Sequence, residues 1–189
     1  MAFSSKLLYN EIPSEFRGGV FFVRKLFFFF FFLYTCGICA SEVVYTIPPS
    51  DFASTMTVSG CFCRQGDKFL VLFRHPDRSC GNTWCLPAKK IETKGSPIAA
   101  AVQELKAELG LSCSQEELSL FKKFYVRLPN KDFELYLFEV NWPKGQEIIL
   151  NKQEHTGFAW VSLQEALTLP LIPGAEVYIR LLFEKKGST

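Results

Sequence analysis

The chain has 189 residues, 48% of them hydrophobic and 21% charged, with a net charge of +2. That size fits one globular domain plus an extension, and the balanced, interspersed charge excludes the basic footprint of a general nucleic-acid binder. Seven cysteines, an odd count without paired C-x-x-C motifs, argue against a disulfide framework and against a zinc knuckle. With only His75 and His155 available, a histidine-based metal site is not expected.

The first element in chain order is an apolar run over residues 26–40, with six consecutive phenylalanines from Phe27 to Phe32 and with Arg24 and Lys25 ahead of it. Basic residues, a short apolar stretch and then small residues are the order of a secretory signal or anchor. The run is short for a membrane span, which needs about 20 residues, and Ile38 fits a cleavage site at Ala40 poorly. A second reading is translated sequence upstream of the true start, with Met56 as the candidate. As a core element the run has no face to bury, since a phenylalanine homopolymer has neither helical nor strand period. Pro48-Pro49-Ser50 reads as a linker. Residues 1–55 are therefore expected to form an extension and residues 56–189 a domain.

Within that domain, Thr57 to Arg64 alternates as a strand, with Cys61 and Cys63 as buried thiols. Gln65-Gly66-Asp67 turns the chain. Lys68 to Phe73 is a near-continuous apolar run and reads as a buried strand. A polar loop from His75 to Thr83 leads to a short apolar return, Trp84 to Leu86. Ser96-Pro97 opens a helix, with serine as the capping oxygen and proline in the first turn. Its apolar stripe is Ile98, Val102, Leu105 and Leu109, and Gly110 ends it as a left-handed cap. Strands follow over Leu118 to Leu128 and Asp132 to Val140, with a turn at Pro129-Asn130-Lys131. Gly157 to Val161 is another. Ser162-Leu163-Gln164-Glu165 is a capping box for a short helix, and Ala175 to Lys186 is a final amphipathic helix. Strands, helix, strands, helices predict a mixed α/β domain with helices packed on a mixed sheet.

The central helix carries Glu104 and Glu108 about 40° apart on one face, at the margin of the apolar stripe. Two like charges so placed repel unless a cation lies between them. The frame from Trp84 to Leu111, WCLPAKKIETKGSPIAAAVQELKAELGL, resembles the Nudix box without a gap. On that pattern, Glu104, Glu108 and Gly110 match. Lys89, Gly95, Gln103 and Ala107 stand where the family has glycine, glutamate, arginine and glutamate. Glu154 to Leu163 resembles the family's late strand, and Glu154 stands where members place an extra metal ligand or base.

The resemblance covers roughly residues 57 to 186 and implies a Nudix-like α/β/α sandwich with a mixed sheet, preceded by the apolar extension. It implies hydrolysis of a nucleoside diphosphate linked to another group, with Mg²⁺ or Mn²⁺ as the cofactor. Glu108 would be the principal metal ligand, Glu104 a second ligand or general base, and Glu154 a further ligand. The four replacements imply reduced activity, at most one metal, and an alternative in which the fold is a non-catalytic nucleotide-binding or interaction module. Lys89, Lys90 and Lys94 put three ammonium groups beside the site, where they are expected to hold a polyphosphate. No nucleic-acid polymer is expected as a partner. Many family members are dimers, which leaves a homodimer open. The location is cytoplasmic if the extension is no signal, and membrane-anchored or exported, with membrane contact through 26–40, if it is one.

Overall fold

Successive strand side chains point to opposite faces, so a near-continuous apolar run such as Lys68–Arg74 is hydrophobic on both faces and both need cover. The computed structural model describes residues 43–91 and 95–184; the apolar run at 26–40, Lys94 and the end of the predicted last helix lie outside them. No helix among the described residues is long and apolar enough to cross a membrane.

Strands β2 (Ser54–Gln65) and β3 (Lys68–Arg74) form a hairpin that closes at Gln65 opposite Lys68. Its turn is left-handed at Gly66, φ 65°, which glycine adopts without a Cβ clash. Antiparallel β6 (Ser119–Leu128) and β7 (Lys131–Asn141) form a second hairpin, and β7 runs parallel to β2. On the outer edge of β6 lies β1 (Val44–Tyr45). Both β4 (Trp84–Cys85) and β8 (His155–Val161) pair with β3, and β5 (Ala88–Ile91) pairs with the first half of β2. The eight described strands thus form one mixed sheet, ordered β1-β6-β7-β2-β3-β4, with β5 on β2 and β8 on β3.

Alternation divides the core into two layers. Phe62, Phe69, Val71, Phe124, Leu135 and Leu137 pack with Tyr178, Ile179 and Leu182 of helix α3 (Ala175–Glu184). On the other layer, Cys61, Cys63, Leu70, Leu72, Phe138 and Val140 pack with Ala101, Leu105 and Leu109 of helix α1 (Pro97–Leu109). Full burial of Leu105 and Leu109 contributes about 1.5–3 kcal/mol each. Helix α2 (Leu163–Ala166) carries the expected capping box, with Glu165 N–H on Ser162 Oγ and Ser162 N–H on Glu165 Oε2. The architecture is the expected α/β/α sandwich, and Cys61 and Cys63 are buried free thiols.

Three local expectations differ. Ser96 precedes α1, but its side chain makes no capping hydrogen bond. The stretch after Pro87, to which the sequence pattern assigns no element, forms β5, because pairing with β2 satisfies its backbone although its side chains show no apolar alternation. Residues 43–55, placed outside the domain, are built into it. Val44 is buried in the α3-side core, Arg127 ion-pairs with Asp51, and Phe52 stacks edge-on against Tyr125. An edge strand gains backbone partners this way, a long-range effect that the proline pair at 48–49 masks.

Candidate metal centre

Both ends of α1 are tied down, which fixes its glutamates. Near its start, Ser59 Oγ on β2 donates to the Pro97 carbonyl at 2.7 Å. At its end Gly110 adopts φ 70°, and its N–H turns back to the Leu105 and Lys106 carbonyls, the expected left-handed cap. Two further carbonyls of the last turn are met from outside. Asn151 N–H donates to Glu108 O at 2.9 Å, and Ile149 N–H to Leu109 O at 3.0 Å. A Cβ on residue 110 would stand 2.9 Å from Ile149 Cβ, so glycine also lets this segment close on the helix. The segment then enters β8, whose first residue, His155, sits opposite Arg74.

The buried face of α1 is rotated from the predicted stripe. Glu104 and Glu108 are buried with Leu105 and Leu109, whereas Ile98 and Val102 are only partly buried. His155 is 1% exposed, and its Nε2 lies 2.9 Å from Glu108 Oε1. Among the described residues, Glu108 Oε2 and His155 Nδ1 are buried without a hydrogen-bond partner. Burial pushes the Glu104 carboxyl up to about 8, with the charge of Glu108 adding to the shift. Burial also pushes Glu108 up to about 7, with the charge of Glu154 adding to the shift and the neighbouring Glu104, Arg74 and Lys89 opposing it. His155 is pushed down to about 4, by burial first and then by Arg74. Burial thus disfavours charge on both carboxyls and on the imidazole.

That arrangement suits a divalent cation. An orphaned carboxylate oxygen would gain a partner, and the desolvation and mutual repulsion that raise both carboxyls would be offset by positive charge.

The other candidates are placed differently. Glu154 ion-pairs through Oε1 with Arg78 Nη2 at 2.5 Å, while its carbonyl accepts from His75 N–H. Among the described residues no group of three or more His, Cys, Asp or Glu is placed to hold a metal ion. Lys89 is opposite Ser59 and so shares the α1 face, where its charge acts on both glutamates. Lys90 is opposite Val58, which packs toward α3. Strand alternation therefore sends the two lysines to opposite faces, and Lys94 lies outside the described residues. Lys89 sits in β5 without a positive φ, so its replacement of glycine carries no left-handed penalty. Gln103 and Ala107 are exposed. His155 and Arg74 belong to the site and were not among the predicted residues. His155 is 47 positions from Glu108, and no local spacing connects them.

A family profile described as NUDIX domain matches residues 54–182. The chain is 32% identical over 136 residues to an octanoyltransferase of Myxococcus xanthus, a stretch that is 70% of this chain and 36% of that one. It also matches a protein of Invertebrate iridescent virus 3, so it spans 36% and 62% of the two curated relatives' lengths. Its fold is similar to the crystal structure of a MutT protein from Methanosarcina mazei (TM-score 0.60, 20% identity, 71% of this chain and 96% of that one). It is also similar to RenU, a Nudix hydrolase from M. smegmatis (TM-score 0.58, 22% identity, 72% and 89%).

Proposed function

Because the chain belongs to the Nudix family, we propose that it is a metal-dependent hydrolase that cleaves a nucleoside diphosphate linked to another group. The observation that carries this reading is the buried Glu104–Glu108 pair with its orphaned Glu108 Oε2. A structural helix face gains nothing from such a pair, which destabilises the metal-free fold.

Glu108 would hold the ion through Oε2, with Glu104 beside it as second ligand or as the base that takes a proton from the attacking water. Mg²⁺ or Mn²⁺ suits an oxygen donor set that leaves room for water and phosphate. When bound, the ion neutralises phosphate charge and acidifies water. A Glu104 carboxyl that titrates near neutrality is suited to accept a proton there. Lys89, on the same face, supplies a cation for a phosphate oxygen. Ala107, Gln103 and Gly95 remove side chains that carry charge at these positions in the family, and such losses cost about 10–100-fold each in metal affinity or activity. Slow turnover with one metal follows.

The second reading, a non-catalytic nucleotide-binding or interaction module, is favoured by the capture of Glu154 by Arg78. The two part on phosphate release from a nucleotide panel with Mg²⁺ and with Mn²⁺, comparing wild type with Glu108→Gln. Metal-dependent release abolished by the substitution supports the hydrolase. Turnover indifferent to it would sink that reading, and saturable binding without turnover would favour the module.

A further inference from the structure

The pairing of His155 with Glu108 joins two side chains from distant parts of the chain, both buried, and the backbone around them is built to keep them together. Ile149 and Asn151 N–H groups grip the last carbonyls of α1, His155 N–H donates to Asn151 O, and β8 then registers His155 opposite Arg74. Helix end and strand start are thus hydrogen-bonded into one piece. Within that piece the position of the imidazole proton follows from what each nitrogen can meet. Nδ1 is buried and has no partner among the described residues. A buried N–H without an acceptor is rarer and costlier than a lone pair without a donor. The proton therefore belongs on Nε2, where Glu108 Oε1 stands 2.9 Å away to accept it. One lone pair of Oε1 is then engaged, and Oε2 is the oxygen left with both lone pairs free among the described residues.

From this geometry we infer that His155 is the positioning residue of the centre: it tethers Glu108 by donating Nε2–H to Oε1, and so selects Oε2 as the atom presented to a cation. The inference rests on the metal-centre reading above for its purpose, but the tether itself exists in the metal-free protein. Gln103, one position ahead of Glu104, is exposed, so the tether to Glu108 comes from β8 and not from α1 itself.

Two measurements test it. The first is proton–nitrogen NMR of the histidine rings in the metal-free full-length chain, which has only His75 and His155 to assign. The expected result is a neutral His155 with its proton on Nε2. A proton on Nδ1, or a charged ring near neutral pH, would overturn the tether. The second is Mn²⁺ affinity by electron paramagnetic resonance. His155→Gln puts an amide donor near the place of Nε2 and should stay within about threefold of wild type, whereas His155→Leu fills similar volume without a donor and should lose about 10–100-fold. Equal affinities, or leucine outperforming glutamine, would show that the residue only fills space and would overturn the inference. Should the leucine variant not fold, the NMR result on wild type decides. A wild type with the Nε2 proton that binds no Mn²⁺ would refute the metal-centre reading while supporting the tether.

Discussion

Replacing Glu108 with glutamine should make the metal-free protein more stable at pH 8, although it removes the proposed ligand. The carboxyl moves from 4.5 to about 7 on folding. Between those values the native state keeps a proton that the unfolded state has lost, so stability falls as pH rises through the window. Glu104, raised to about 8, acts with the same sign. His155, lowered from 6.5 to about 4, acts with the opposite sign, but only below its unfolded value; from pH 6.5 to 8 the glutamates act alone. At about 1.4 kcal/mol per unit, ionised Glu108 costs the native state up to about 3 kcal/mol at pH 8. Glutamine keeps an oxygen for His155 but leaves an amide N–H₂ in the place of Oε2, at a cost of about 1–2 kcal/mol. The net gain of about 1–2 kcal/mol should raise Tm by about 2–8 °C at pH 8. At pH 5 Glu108 is already neutral in the native state, so the gain should vanish. The assay is calorimetric melting in chelator at both pH values, repeated with Mg²⁺. Wild type at pH 8 should gain about 2.7 kcal/mol at a Mg²⁺ concentration a hundred times its Kd, and the variant should gain far less. A variant less stable than wild type by the same amount at both pH values, or equal Mg²⁺ shifts in both proteins, would refute the reasoning.

Two further predictions concern placement. A chain beginning at Met56 lacks buried Val44 and the Phe52–Tyr125 contact, and should be about 2–4 kcal/mol less stable in urea than one beginning at Val43; coincident unfolding curves would show that β1 adds nothing to the fold. Lys89→Ala should raise KM for a polyphosphate substrate about tenfold with kcat less affected, while Lys90→Ala should stay within about twofold; equal effects would mean that both lysines act through the overall charge of β5 and not from one face.

What could be read from the chain is what local physics writes into it. The α1 span follows from proline in its first turn and Gly110 at its end, and both features are found where expected. The β2–β3 hairpin follows from an apolar run on each side of Gly66, and the capping box at Ser162 follows from its spacing to Glu165. Helical spacing likewise brings Glu104 and Glu108 together whatever the rest of the chain does. The helix does not, by itself, determine which of its faces is buried. Spacing gave the stripe through Ile98 and Val102, and packing on the sheet buried the two glutamates in preference.

The remaining decisions are tertiary because they depend on residues far apart in sequence. β1 and β5 exist as strands because β6 and β2 supply backbone partners, and neither has a side-chain pattern that shows it. Pairing register sends Lys89 toward the glutamates and Lys90 away. Arg78 ion-pairs with Glu154, whose charge still acts on Glu108, and His155 reaches Glu108 through a hydrogen bond. The sequence by itself determined the helix and the two carboxylates on it. Only the packed sheet decided how deeply they are buried, which cations stand near them and which side chain holds Glu108, since desolvation and hydrogen-bond geometry arise only when distant segments meet.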